Sequence, residues 1–236
     1  MNPGGTMIFD LHFHTADYSP CSRMRLAEGV KRASEIGLDG ICITEHDVFP
    51  AYSDLDELRA LYGIAIFVGI EIYSLEGDIL CFGLDRVPSQ RIGARDLTAM
   101  VAESGGATIA AHPYRDNNRG VGDLLFDLPH LTAVEAFNGN TSDNDNARAL
   151  RSARERGLRV TGSSDAHSID RVGKFATRFF RRIESLEDLI VALRTDRYEP
   201  VAYDPYYHRS FSAIVTRGES NGRRKSAHAA RCRGHA

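Results

Sequence analysis

The feature that most limits what this chain can fold into is a repeated alternation of short, almost wholly apolar runs with stretches of helical spacing. Residues 7–11, 40–44, 65–70, 107–111, 133–137 and 159–162 read as strands, with 177–183 as a later one. Residues 25–36, 55–62, 95–104, 143–156 and 186–194 read as helices, and 122–128 as a short one. In the first helix Leu26, Val30, Ala33 and Ile36 recur at helical intervals, and Gly37 closes it. Apolar segments 72–75 and 79–84 flank Glu76-Gly77-Asp78, which predicts a hairpin. Nearly continuous apolar strands alternating with amphipathic helices predict a parallel sheet covered by helices.

Several of these runs end in ionisable residues. They are Asp10-Leu11-His12-Phe13-His14, Thr44-Glu45-His46-Asp47, Gly69-Ile70-Glu71, Ala111-His112-Pro113 and Ser164-Asp165-Ala166-His167. In an extended segment residues two apart share a face, so His12 with His14, and Asp165 with His167, are same-face pairs. Nitrogen and carboxylate ligands arriving from several strand ends are what a multinuclear metal site needs. A closed α/β barrel brings the carboxyl ends of its strands to one mouth, whereas an open doubly wound sheet places its site at a crevice. Ligands from the first, middle and last strands meet more naturally in a barrel. No glycine-rich phosphate loop or dinucleotide fingerprint is visible.

Composition narrows the class. The 236 residues, 42% hydrophobic and 26% charged, suit one substantial domain of an ordinary globular protein. No apolar run reaches the roughly 18 residues of a membrane span, and the first residues lack a secretory pattern. The expectation is therefore a cytoplasmic protein with no membrane partner. Cys21, Cys42, Cys81 and Cys232 form no C-x-x-C pair. Cys42 and Cys81 read as buried core residues, and Cys21, close to the first histidine pair, is weighed as a thiolate ligand. The formal charge of −3 is uneven, because residues 215–236 are strongly basic and almost free of apolar residues. They read as a disordered tail. A nucleic-acid-binding arm is the sharper reading of the same segment, and it lacks interleaved aromatics.

The segments Asp10-Leu11-His12-Phe13-His14-Thr15, Ile43-Thr44-Glu45-His46-Asp47, Gly69-Ile70-Glu71, Ala111-His112-Pro113 and Ser164-Asp165-Ala166-His167 resemble, in order, those of the PHP (polymerase and histidinol phosphatase) family of metal-dependent phosphoesterases. The resemblance implies a distorted barrel of about seven strand–helix units. It also implies two to three divalent ions, zinc, manganese or iron. His12, His14, Glu71 and Asp165 would hold one ion. Glu71 would bridge to a second, also bound by His112, and His46 with His167 would hold a third. Two places depart from the family pattern. Gly77-Asp78-Ile79 stands where a histidine is common, so Asp78 is read either as an oxygen ligand or as a plain turn aspartate. The loop Asp17-Tyr18-Ser19-Pro20-Cys21 offers no clear ligand for the third ion. Glu45 and Asp47 are read as partners that orient imidazoles.

The expectation is thus an α/β protein, a distorted (β/α)7 TIM-like barrel, with one domain over residues 6–205. Its expected activity is hydrolysis of a small phosphorylated metabolite or nucleotide by water that the ions activate. Glu71, His46 and His167 are the candidate catalytic residues, with His46, His167 or a metal-bound water weighed as proton donor to the leaving group. Arg115 and Arg171 are the candidates for holding phosphate. An exonuclease-like activity on nucleic acid, a non-phosphate hydrolase of the amidohydrolase type, and a metal-binding module without catalysis are the alternatives.

Overall fold

The structure, a computed structural model, describes residues 5–205 and 210–214. In chain order its elements are strand β1 (Met7–Phe13), helix α1 (Leu26–Glu35), β2 (Gly40–His46), α2 (Leu55–Tyr62), β3 (Ala65–Tyr73), β4 (Asp78–Phe82), α3 (Ala94–Glu103), β5 (Ala107–Ala110), a 3-10 turn (Gly122–Asp127), β6 (Ala133–Asn138), α4 (Asp143–Glu155), β7 (Val160–Ser163), a second 3-10 turn (Ile169–Arg171), β8 (Phe175–Phe179), α5 (Leu186–Thr195), β9 (Tyr198–Asp204) and β10 (Ser210–Ala213). The strands form one sheet in the order β10-β9-β8-β1-β2-β3-β4-β5-β6-β7. Pairs β1–β2, β2–β3, β5–β6 and β6–β7 are parallel, and β4 runs antiparallel to both neighbours. The sheet curls into a partial barrel. Its seam is closed by a parallel bridge between Phe13 and Ala166, and by Thr177 Oγ1, which donates to Gly162 O at 2.8 Å and accepts from Gly162 N at 3.1 Å. The expected distorted barrel of alternating strands and helices is what the chain forms.

Two apolar clusters pack the helices onto the outside. Leu26, Val30 and Ala33 of α1 and Leu58 of α2 meet Ile41, Ile43 and Ile66. Leu97 and Val101 of α3 and Ala149 and Ala153 of α4 meet Ile70, Ile79, Cys81 and Val134. Helix starts are set locally: Ser142 accepts from Asp145 N in α4, and Ser185 from Asp188 N in α5. A third cluster fills the lower interior. Phe9, Leu11, Cys42, Phe67, Leu80, Phe82, Ile109 and Phe179 meet Leu189 and Leu193 of α5, which plugs that end. Fully burying each such side chain contributes about 1.5–3 kcal/mol. Phe82 fits because it lies over Gly69, where an added Cβ would stand 2.6 Å from the ring.

The last part of the chain differs from expectation. Strand β8 covers Phe175–Phe179 rather than 177–183, and β9 and β10 follow it. All three are antiparallel to their neighbours, even though α5 lies between β8 and β9. The sheet runs to Ala213, beyond residue 205. The predicted basic tail, residues 215–236, lies outside the described residues. Among the described residues no helix is long and apolar enough to cross a membrane.

Candidate metal centre

The strands deliver their polar side chains to the mouth by breaking the simple alternation of faces. In β1, Phe9 and Leu11 point to the interior cluster, so regular alternation would send Phe13 inward and His12 outward. Pairing with β2 slips between Asp10 and Phe13, where three steps oppose two. This bulge swaps the faces: Phe13 packs outside against the α1 cluster, and His12 and His14 turn inward. A second bulge, between Glu135 and Phe137 of β6, does the same. It places Glu135 and Asn138 inside while Phe137 packs outside. His112 and Asp165, just beyond β5 and β7, have φ of 30° and 51°, conformations that non-glycine residues rarely hold. Asp78 arrives by a different route. It opens β4, which runs antiparallel, so its amino end lies at the mouth opposite Tyr73. It is a buried strand residue and not a turn aspartate.

Glu71 stands at the centre. Its Oε2 lies 2.8 Å from His46 Nδ1, 3.2 Å from His14 Nε2 and 3.4 Å from His12 Nε2. Its Oε1 lies 3.0 Å from His112 Nε2. Asp165 Oδ1 is 3.4 Å from both His12 Nε2 and His14 Nε2, and 3.5 Å from His167 Nδ1. Asp78 Oδ2 is 3.7 Å from His112 Nε2. Four overlapping groups can therefore each hold an ion: His12–His14–Glu71, His12–His112–Asp165, Glu71–Asp78–His112 and His14–His46–His167. All eight residues predicted as ligands are brought together. The last group includes His14, which the sequence had assigned to the first ion only. His46 and His167 are its outer members, with side chains 27% and 21% exposed, while the other ligands are buried.

The donor set fits divalent cations. Glu71, Asp78, Glu135 and Asp165 are buried together, with the guanidiniums of Arg115 and Arg119 as their permanent cations. With neutral imidazoles that leaves uncompensated negative charge in a dry site, which is costly. His12 Nε2, His14 Nε2, Glu71 Oε2, Asp78 Oδ1 and His112 Nδ1 are buried without a hydrogen-bond partner. In the metal-free protein protons take up the imbalance. Burial disfavours a charged His12, but Asp165, Glu135 and Glu71 outweigh it and raise its pKa well above the usual value. Burial likewise opposes ionised Glu71 and Asp165, yet His12 and the neighbouring imidazoles hold both well below the carboxylate range. Asp78 goes the other way: burial and the charge of Glu71 raise it to about 8 against the pull of Arg119. Burial and His14 lower His167 to about 4, so at neutral pH it offers a lone pair and not a proton.

Around the ligands lies a ring of supporting groups. Glu135 Oε1 is 3.0 Å from His12 Nδ1, and its Oε2 accepts from His112 N at 2.9 Å and Asn138 Nδ2 at 2.8 Å. A carboxylate on the far nitrogen fixes an imidazole's tautomer and ring angle. Sequence reasoning passed over Glu135, although a lone charge within the apolar run Ala133-Val134-Glu135-Ala136 was a usable signal. Asp10 accepts from Ser164 N at 2.9 Å, tying β1 to β7, and burial raises it to about 6. Glu45 reaches His14 indirectly. It accepts from Thr15 N, Thr15 Oγ1, Tyr52 OH and Ser19 Oγ, and Ser19 Oγ lies 3.4 Å from His14 Nδ1. Asp47 orients no imidazole and instead accepts from Tyr73 N at 2.9 Å. Cys21 belongs to none of the ligand groups found among the described residues.

The two predicted phosphate-binding arginines are placed differently. Arg115 is committed to the site's own frame: it donates to Asp165 Oδ2, to Asn138 Oδ1 at 2.7 Å and to Thr141 Oγ1 at 2.9 Å. Arg171 is half exposed, pairs loosely with Asp170 at 3.7 Å and touches none of the ligands. Arg119, which the sequence did not suggest, donates from Nε to Asp78 Oδ2 at 2.6 Å and reaches within 3.4 Å of His46 Nδ1.

Comparisons with known proteins agree with this architecture. Residues 143–198 match the family model of the PHP-associated segment. An uncharacterized protein of Methanocaldococcus jannaschii is 29% identical over 147 residues, covering 58% of this chain and 85% of the relative. Among solved structures, a protein of Bifidobacterium adolescentis assigned as a metal-dependent phosphoesterase superposes with TM-score 0.60 at 16% identity, covering 80% of this chain and 96% of that one. An amidohydrolase of Chromobacterium violaceum, solved with bound sulfate and no metal, has TM-score 0.56 at 17% identity, covering 67% and 87%. The lesion-specific endonuclease of Pyrococcus furiosus has TM-score 0.61 at 15% identity, and the match covers 85% of this chain but 60% of that one.

Proposed function

We propose that this chain, which carries a PHP-family domain, is a metal-dependent phosphoesterase acting on a small phosphorylated metabolite or nucleotide. One observation carries the reading: the two oxygens of Glu71 face different imidazoles, His46, His14 and His12 on one side and His112 on the other. A buried carboxylate so placed can serve two cations while reducing their mutual repulsion. His12, His14, Glu71 and Asp165 would hold one ion, Glu71, His112 and Asp78 a second, and His46 and His167 with His14 a third. Ions there supply Lewis acidity for the phosphoryl oxygens and bring the pKa of water near neutrality.

The protein's own groups do the rest. Glu135 holds His12 and the His112 backbone in place, and Arg115 with Asn138 fixes Asp165. His46 and His167, at the open side, are next to any leaving group that departs outward. Held as ligands, both imidazoles would turn lone pairs toward the ion, so a water is the better proton donor to the leaving group. The test is a phosphate-release screen over phosphorylated metabolites and nucleotides, on protein whose metal content has been measured. Release from at least one small phosphate ester, rising with metal content, is the expected result. A chain holding fewer than one ion, or a fully loaded chain that cleaves nucleic acid or an amide but no small phosphate ester, would reject the proposal.

A further inference from the structure

Two guanidiniums meet on one aromatic ring at the edge of the metal cluster. Arg119 Cζ lies 4.4 Å from the centre of the Tyr73 ring and Arg91 Cζ lies 4.0 Å from it. Tyr73 is the last residue of β3, two positions beyond Glu71, and it pairs directly with Asp78. Arg119 is the inner of the two cations, held by Asp78 and within reach of His46. Its loop is tightly built. Arg119 O accepts from Asp78 N at 2.8 Å, Tyr73 OH donates to Asn118 O at 3.1 Å, and a Cβ on Gly120 would stand 2.4 Å from Pro113 O. Arg91 is the outer cation and is exposed. Among the described residues no carboxylate forms an ion pair with it.

Two like charges brought to one ring repel, and the ring's attraction for each is about 0.5–1 kcal/mol at an exposed site. Arg119 already has Asp78 as a partner, so an anion beside Arg91 would supply the counter-charge that it lacks, and a guanidinium's planar fork suits phosphate or carboxylate. The two predicted arginines do not provide this. Arg115 has donated its fork to Asp165, Asn138 and Thr141, and Arg171 lies away from the ligands. We propose that Arg119, Tyr73 and Arg91 form an anion subsite beside the metal cluster, which takes a second negatively charged group of the substrate while the reacting phosphate lies at the cluster. Arg119, the inner cation, meets the reacting phosphate, Arg91, the outer one, meets the second anionic group, and both guanidiniums rest on the Tyr73 ring. The substrate class is then a phosphate ester whose alcohol part carries its own anionic group. This inference rests on the phosphoesterase reading and narrows it.

The test uses a matched, non-hydrolysable pair, phenylphosphonate and 4-carboxyphenylphosphonate, which differ by one negative charge. Binding to the full, metal-loaded chain is measured by calorimetry, with metal content determined on every sample. The wild type should prefer the carboxylated probe by about tenfold, the size of one well-placed ionic hydrogen bond. In Arg91→Ala the preference should fall to near unity. Arg119→Ala should weaken both probes by tenfold or more at unchanged metal content, with Arg119→Lys in between. Absence of a preference in the wild type overturns the subsite, as does a preference that survives Arg91→Ala. So does an Arg119→Ala variant that loses metal but binds both probes normally per loaded site, since Arg119 would then serve only Asp78. Failure of the subsite in an enzyme that still releases phosphate from esters leaves the phosphoesterase reading standing. A loaded wild type that binds neither probe and hydrolyses no phosphate ester removes both.

Discussion

The lower and upper halves of the barrel interior are made by the same strands and could hardly be less alike. Strand β1 gives Phe9 and Leu11 to the lower half and His12 and His14 to the upper, and β3 gives Phe67 and then Glu71. Strand β4, running the other way, gives Asp78 to the top and Leu80 and Phe82 to the bottom. The lower half is apolar and sealed by α5, and it can stabilise the fold through burial alone. The upper half crowds buried carboxylates and imidazoles whose charges are not balanced within the protein. One layer thus supports a second that would be unfavourable by itself, and the bulge in β1 marks the boundary between them.

If the halves divide their labour this way, substitutions should separate stability from activity. The largest effect is expected from Phe82→Ala in the lower half. Truncating a fully buried phenylalanine typically costs about 3–5 kcal/mol, and Gly69 beneath it offers no side chain to fill the gap. Denaturant unfolding should show this loss, while metal uptake by the folded fraction stays near normal. Glu71→Gln should do the reverse. Glutamine keeps the shape but lacks the charge that two cations share. Phosphate release should drop by two or more powers of ten, a barrier increase of roughly 3 kcal/mol or more, with the metal-free protein losing less stability than Phe82→Ala does. A Glu71→Gln protein with full metal and near-normal turnover would remove the bridging role.

The same contrast explains what could be read from the sequence. The five helices were legible from their helical period, and the strands from β1 to β7 from short, nearly continuous apolar runs between them. The ligands were legible because His12, His46, Glu71, His112 and Asp165 stand at the ends of apolar runs. The antiparallel direction of β4 was legible from the hairpin predicted between 72–75 and 79–84, which the structure forms; what could not be read was that Asp78, counted with the turn, opens the strand. The bulges were hidden too, since they depend on pairing with β2 and β7. Strands β9 and β10 escaped notice because Tyr198-Glu199-Pro200 and the short Ser210–Ala213 segment pair at the sheet's edge, where strong apolar alternation is not required. Arginine roles were the least legible. Arg115, Arg119 and Arg171 look alike in sequence, and only the folded loops show which one meets Asp165, which meets Asp78, and which meets neither.

A smaller effect should come from Glu135→Gln, which keeps a hydrogen-bonding group beside His12 but removes its charge. Partners of this kind typically account for about 10–100-fold in metal affinity. Metal titration by competition with a chelator should show a loss in that range, smaller than that of Glu71→Gln. Equal losses from the two would mean that Glu135 is itself a ligand, and the layer of supporting groups would have to be redrawn.

The smallest effect concerns how the metal-free upper half responds to pH. Asp10 and Asp78 are raised by burial from 3.8 to about 6 and about 8. A group raised on folding stabilises most below its unfolded pKa, and that stabilisation is lost as pH rises through the folded value. His12, raised by its carboxylates, acts in the same direction above its usual 6.5. Glu71, Glu135 and Asp165 are lowered on folding, so their contribution is present above the ordinary carboxylate range and is lost only as pH falls below it. Between pH 6 and 9 the change comes mainly from Asp78 and His12. Asp10 has nearly finished by pH 6, and His167, lowered to about 4, adds only a small opposite effect as its unfolded form loses its proton near 6.5. Each proton lost from Asp78 or His12 adds negative charge to a site already rich in it. Chelator-treated protein should therefore melt lower at pH 9 than at pH 6, by roughly 5 °C for a chain of this size. Divalent ions should reverse the trend, because they bind the deprotonated ligands and replace the missing positive charge, raising the melting point most at high pH. Among the described residues the ionisable groups of the lower half are the Cys42 thiol and, at its edge, the Tyr198 hydroxyl, whose ordinary values of 9.0 and 10.0 lie at or above the top of this range. A metal-free melting temperature that is flat or rising from pH 6 to 9 would mean that the upper half is not the strained layer of this barrel, and the contrast between its two halves would lose its electrostatic basis.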